Sequence, residues 1–271
     1  EAILTHSNGD VAYGVIEENS YQAPDGSLLP YNVCRFSFNT VSLTGGVLVH
    51  LTGSNALVLE ATAGDLEIGV DLDASGGSAD GASGGTSKLG GSVGRDSGNL
   101  SGNGLGGPTA SGSSGHGAAY GGRGSGDAAT YGDRALDNLL GGSSGASGAS
   151  GGSGGSGGAI HLKASGDVTI LATSTIRTNG GNGAVDGAGG SGGAIRLEGV
   201  NVFNHGTIES KAGIGTGSQN LNGNWDYGSG GGRIAFLPTG NVKTGSVNLA
   251  GESSAREGTL FVSGNVGSAS L

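Results

Sequence analysis

The chain has 271 residues, 64 of them glycine, and sets 12 Lys and Arg against 22 Asp and Glu for a net charge of −10. Such a surface would repel phosphates and offers few bases to an anionic membrane, which excludes nucleic acid as a partner. No apolar run reaches transmembrane length, and the single Cys34 leaves no intrachain disulfide, so it reads as a small buried apolar residue. Beginning at Glu1 and lacking methionine, the sequence fits a processed mature chain.

In chain order, "EAILTHS" (1–7) reads as an apolar strand, and residues 1–40 match nothing later in the chain. "NALVLEATAGDLEIGVDLDASGG" (55–77) is the first copy of a repeat, followed by a glycine-rich insertion over 76–158. Leu, Ile, Val and Phe number 56 in the chain, and only 7 of them fall in that insertion. Within it "DRALDNLL" (133–140) is the one plausible helical turn. "GSSGASGASGGSGGSGG" (142–158) follows, with glycine at every third position and no proline. The repeat resumes as "GGSGGAIHLKASGDVTILATSTIRTNGG" (154–181), "GGSGGAIRLEGVNVFNHGTIESKAG" (189–213) and "GSGGGRIAFLPTGNVKTGSVNLAG" (228–251), and "GTLFVSG" closes the series as a last apolar strand. Ile160, Ile195 and Ile234 occupy equivalent positions; Leu57 aligns with Ile160, Asp65 with Asp167, and Leu72 with Ile176.

Each copy alternates apolar and polar residues over short runs bounded by Gly, Asn or Asp, the pattern of half-buried strands. Three strands per copy at a recurring spacing predict an all-β parallel β-helix, a solenoid of stacked coils with a narrow core. The expected organisation is a single domain over 1–271: an N-terminal strand and first coils (1–75), the insertion (76–158) and C-terminal coils (159–271). Period-three glycine has a bland reading, a flexible linker. It also has a structured one, polyglycine-II helices packed through close backbone approach. The G-x-y rhythm returns in "GAGGSGG" before Ile195, where it feeds straight into a strand, and this favours the packed reading.

The "GGSGGAIxL … GDVTI … IxTNGG" pattern resembles glycine-rich β-helical surface proteins secreted by bacteria, including large adhesin-like chains. It is more distantly similar to phage adhesins that pack polyglycine helices. The resemblance covers about 41–251 and implies an extracellular or cell-surface role, structural or adhesive, with no catalytic residue to carry over.

The chemistry-bearing candidates are few. "DLDASG" (Asp71, Asp73, Ser75, Gly76) starts like a calcium loop, but its twelfth position is Ala82, so it reads as a solvated edge. Asp186 and Asp127 fall one residue late for calcium-binding nonapeptides. His6, His50, His116, His161 and His205 show no metal-ligand spacing. Lys163, Arg196 and Glu198 point outward from neighbouring strands and read as a charged solvent face. Trp225 and Tyr227 are rare aromatics in a loop, suited to stacking on a sugar or to covering glycine backbone. Asn99 in "NLS" fits an N-glycan acceptor.

The resulting expectation is a non-enzymatic structural subunit of an extracellular or cell-surface fibre, without cofactor or metal, whose partner is a further copy of itself. Ala2, Ile3 and Leu4 would pair as a strand with the neighbour, with Ile3 entering an apolar groove. The alternatives are an adhesin binding surface glycans and, behind it, a polysaccharide-active enzyme.

Overall fold

The computed structural model describes residues 2–5, 11–45, 49–109, 115–216, 228–252 and 256–263. Among these there are strands and no helix. β1 (Ala2–Thr5), β2 (Val11–Gln22) and β3 (Leu28–Phe38) come first, then β4 (Val41–Leu43). Each repeat copy then supplies three short strands. The first gives β5 (Ala56–Ala61), β6 (Leu66–Ile68) and β7 (Leu72–Asp73); the second β8 (Ala159–Ala164), β9 (Val168–Ile170) and β10 (Thr175–Arg177). The third gives β11 (Ala194–Gly199), β12 (Val202–Asn204) and β13 (Thr207–Glu209); the fourth β14 (Arg233–Pro238), β15 (Val242–Lys243) and β16 (Ser246–Asn248). β17 (Thr259–Val262) is the last.

The strands form three sheets. The largest is mixed and runs β2-β3-β5-β8-β11-β14-β17, with β1 added antiparallel on β2. The other two, β4-β6-β9-β12-β15 and β7-β10-β13-β16, are wholly parallel. This corrects the expected parallel β-helix with polyglycine-II helices: the all-β content holds, but no closed barrel or solenoid is detected, and the glycine segments contribute no helix. The physical reason visible in the sheets is that residues 11–38 fold as a long antiparallel hairpin, which makes the main sheet mixed rather than wholly parallel. The turn expected at 133–140 is not helical either. Leu136 sits at φ 59°, and Asp133 instead accepts the amides of Asp137 and Asn138 at 3.0 and 3.2 Å.

The equivalences read from the repeat recur as register. Leu57, Ile160, Ile195 and Ile234 stand side by side across β5, β8, β11 and β14, and Leu72 pairs with Ile176. These side chains, with Leu66, Ile68, Leu162, Val168, Ile170, Leu197, Val202, Ile208 and Phe236, form the main core. Polar side chains at the turns link each copy to the one before. Asp167 N donates to Asp65 Oδ1 (2.8 Å), Asn201 N to Asp167 Oδ1 (3.0 Å), and Asn241 N to Asn201 Oδ1 (2.8 Å). An Asx side chain suits this because its oxygen reaches a neighbouring amide that the turn leaves unpaired.

The segment 142–158 is buried except at its bend (149–150). Legs 142–148 and 151–158 fold back on each other, with Gly142 N donating to Gly157 O and Gly148 N to Gly151 O. From the second leg, main-chain amides donate in three directions with period three. Gly152, Gly155 and Gly158 reach Gly81, Gly77 and Ala74; Ser153, Ser156 and Ala159 reach Arg95, Ser92 and Leu89; Gly154 and Gly157 reach Ala188 and Ser191. The residue types follow this geometry. A Cβ at Gly151, Gly154 or Gly157 would stand under 3.0 Å from the carbonyl oxygens of Ala184, Gly181 and Thr178 respectively, so that row admits only glycine. On the serine row the side chain completes a reciprocal pair: Ser92 N donates to Ser156 Oγ (2.7 Å) and Arg95 N to Ser153 Oγ (2.8 Å). Ser144 and Ser147 accept the amides of Asn103 and Leu100 in the same way from the first leg. Buried main-chain groups must be paired somewhere, and here they are paired without a strand ladder.

Candidate assembly site

Alternation along each strand sends one set of side chains to the core and the other to the outer face of the main sheet. On the middle strands that outer set is charged and joined across strands. Arg35 lies between Glu17 (2.6 Å) and Glu60 (3.1 Å); Lys163 lies between Glu60 (3.3 Å) and Glu198 (3.9 Å). Glu198 also meets Arg196 at 2.9 Å and the His161 ring at 3.2 Å, while Arg196 reaches on to Asp137. Lys163, Arg196 and Glu198, singled out in the sequence as outward, are thus brought together. The lane beside them is covered by Tyr120, Tyr131, Leu136, Leu139 and Leu140 of the insertion. Arg233 pins that cover: its guanidinium donates to Tyr131 O at 2.8 Å and lies 5.4 Å from the Tyr120 ring centre.

The electrostatics of this cluster hold its acids as carboxylates. The hydrogen bond from Arg35 lowers Glu17. Burial alone would raise Glu60, but Lys163 and Arg35 outweigh it and the net direction is down. Glu198 falls from 4.5 to about 2, through His161 first and Arg196 next. Burial lowers His161 below its usual 6.5, so the imidazole is neutral at neutral pH and Arg196 and Lys163 supply the positive charge. Permanently ionised, ion-paired carboxylates are poor proton donors; what they do well is tie adjacent strands together.

A Glu198→Gln variant tests that role. Because the folded-state value is depressed, Glu198 stabilises the fold above about pH 4.5, and the contribution disappears as pH falls toward about 2. The substitution should cost about 1–3 kcal/mol at neutral pH and nothing near pH 2, read from urea midpoints at both pH values.

At the two ends of the main sheet the outer face changes character. Val11, Tyr13 and Val15 of β2 are 45%, 66% and 64% exposed, with Val15 directly opposite Arg35. At the other end Ala235, Leu237 and Phe261 continue the rows that carry charge on β8 and β11. The core face ends in the same way. Val247, Leu249, Leu260 and Val262 are only partly buried against the core, and a cavity of about 370 Å³ opens between Thr244–Ala250 and the Glu257–Leu260 side. Apolar side chains thus lie at Val11–Val15 and at β17, and the paired charges run between them from Glu17 on β2 to Arg196 and Glu198 on β11.

β1 lies at one outer edge of this sheet, with Ala2 opposite Gly14, Ile3 opposite Tyr13 and Leu4 opposite Ala12, all within its own chain. Asn99 is exposed at φ 56°, its amide donating to Gly148 O. Trp225 and Tyr227 lie outside the described residues. Cys34 is buried, with its thiol pushed up by burial. Among the described residues no group of three His, Cys, Asp or Glu could hold a metal ion, and no helix is long and apolar enough to cross a membrane. Sequence reading missed Glu17, Arg35 and Glu60. The signal was present: "PDGS" (24–27) between two alternating runs marks a hairpin turn, and Asp25 accepts the amide and hydroxyl of Ser27. No family model, curated protein or solved structure matches this chain.

Proposed function

We propose that this chain is a structural subunit that joins end to end with copies of itself into an extracellular or cell-surface fibre. One observation carries the reading: Val11, Tyr13 and Val15 of β2 are exposed, and among the described residues Val247, Leu249, Leu260 and Val262 only partly close the core beside a cavity at the β16–β17 end. Unpaired edges flanked by apolar side chains are templates for further strands, and sheets that are not meant to associate usually blunt them with charge. In this sheet the outer-face ion pairs run from Glu17 on β2 to Arg196 and Glu198 on β11, while Val11–Val15 and Thr259–Val262 carry no charged residue. A joint between two different surfaces need not close into a ring, so it propagates. The glycine array suits a load-bearing role, because its cohesion is main-chain hydrogen bonding in three directions. The resemblance of the repeats to secreted surface proteins supports the location.

Purified protein is expected to form filaments in negative-stain images, with lengths that grow with concentration. Each copy carries a net charge of −10, so end-to-end joining is opposed by repulsion and should quicken as salt screens it. Monodisperse monomers at every concentration and salt level would overturn the reading.

A further inference from the structure

We infer that the cavity at the β16–β17 end of the core is the docking site of residues 264–271 of the same chain, which would extend both wholly parallel sheets by one more strand. This goes beyond the fibre reading and stands without it.

Sequence spacing is the first support. In every copy an Asp or Asn immediately precedes the aliphatic residue that opens the second strand: Asp65 before Leu66, Asp167 before Val168, Asn201 before Val202, and Asn241 before Val242. After β17 the chain reads "SGNVGSASL" (263–271), which matches "TGNVKTGSV" (239–247), and Asn265 before Val266 is the same pair once more. The next apolar position agrees as well: Val247 lies five residues after Val242, and Leu271 five after Val266. β17 already continues the first strand of the fourth copy, with Leu260 opposite Ile234 and Val262 opposite Phe236. Residues 259–271 thus carry the apolar signals of all three strands of a copy. The connection is shorter than before. Two residues separate Val262 from Asn265, where three separate Leu197 from Asn201, and one of the two is Gly264, which suits a tighter corner.

The ladders of the described residues stop where this segment would take over. One parallel sheet aligns Leu66, Val168, Val202 and Val242 as successive partners, and the other aligns Leu72, Ile176, Ile208 and Val247. One further step in each row sets Val266 against Val242 and Leu271 against Val247. The turn row steps in the same way, because Asp65, Asp167 and Asn201 each accept at Oδ1 the amide of the next member. Asn241 donates to Asn201, but its own Oδ1 accepts no amide among the described residues, and Asn265 is the next member of the row. Burial points the same way. Ile208 and Ile234 are fully buried because β16 and β17 cover them, whereas Val247 and Leu260 are only partly buried beside the cavity of about 370 Å³. Covering them removes apolar surface from water, and a segment that follows Ser263 directly does so without recruiting a second molecule.

The test is the chain carrying Lys243→Cys and Gly267→Cys, oxidised at low protein concentration. Lys243 is exposed next to Val242, and Gly267 follows Val266, so the proposed register makes them cross-strand neighbours about 4.8 Å apart, within the reach of a disulfide. Expected is the loss of both introduced thiols in a chain that stays monomeric on a non-reducing gel. Either single variant, with only the buried Cys34 besides, should keep its thiols. A disulfide found only in dimers and longer species would put the segment on a neighbouring copy, and no disulfide would leave the cavity to another occupant; either result overturns the inference. Melts give a second reading. Val266→Asp should lower the midpoint and Gly267→Asp should not, and equal midpoints for both would also overturn it. Neither measurement needs polymerisation, so failure of the fibre reading would show separately, as a native chain that remains monomeric.

Discussion

Ile195→Asp is expected to abolish cooperative folding. The side chain is fully buried between its register partners Ile160 and Ile234, and its strand lies at the centre of the ladder formed by the repeats. Among the described residues the basic groups of β8 and β11, Lys163 and Arg196, are in ion pairs on the outer face and not in the core. An unpaired carboxylate at this place would have to be protonated or drag water inside, at a cost of about 4–5 kcal/mol or more. A domain holds on the order of 5–15 kcal/mol in all, so this one change approaches the whole margin. Ile195→Val, which keeps the shape and loses one methylene, should cost only about 1 kcal/mol. Thermal melts followed by circular dichroism separate the two. A near-native melt for Ile195→Asp would show that this register row is not the core.

The second large effect is expected in the glycine array. Gly154→Val places a branched side chain under 3.0 Å from the Gly181 carbonyl, in the row where the 151–158 leg abuts its neighbour. Nothing there is the far end of a flexible side chain, so main chain has to move. The hydrogen bonds that Gly154 and Gly157 donate to Ala188 and Ser191 go with it. Several buried peptide groups would then lose partners at about 1–3 kcal/mol each. Gly81, which has φ 56° but open space around an added Cβ, supplies the contrast. Gly81→Ala should cost about 1 kcal/mol, from backbone strain alone. If Gly154→Val melts like the native chain, the segment is not packed as described.

How much of this was legible beforehand depended on where the information lay. Ile160, Ile195 and Ile234 were visible because repetition writes the register of parallel strands directly into sequence spacing. The period-three glycines were visible for a related reason: each row faces one neighbour, and a row that touches main chain can hold only glycine. The repeat did not disclose closure. The same alternation serves the strands of a closed coil and the strands of open sheets, and nothing in the spacing distinguishes the two. The hairpin over 11–38 belongs to no repeat, so nothing in the spacing announced that the main sheet would be mixed. The charged lane was half legible. Arg196 and Glu198 are two residues apart on one strand, but Glu60 meets Lys163 only through β5–β8 pairing across the long insertion.

The array over 142–158 also bears on how stability responds to temperature. Ordinary cores expose mainly hydrocarbon on unfolding, and hydration of that surface gives the large positive heat-capacity change that bends the stability curve. Here a large share of what is buried is peptide group, joined amide to carbonyl and bordered by glycine and serine. Exposing polar surface lowers the heat-capacity change, by roughly 0.26 cal/K/mol per Å², where apolar surface raises it by about 0.45. Unfolding should therefore carry a smaller heat-capacity increment than expected for a chain of this length, and the stability curve should be correspondingly flat. The fold would then lose little of its margin between cold and warm surroundings.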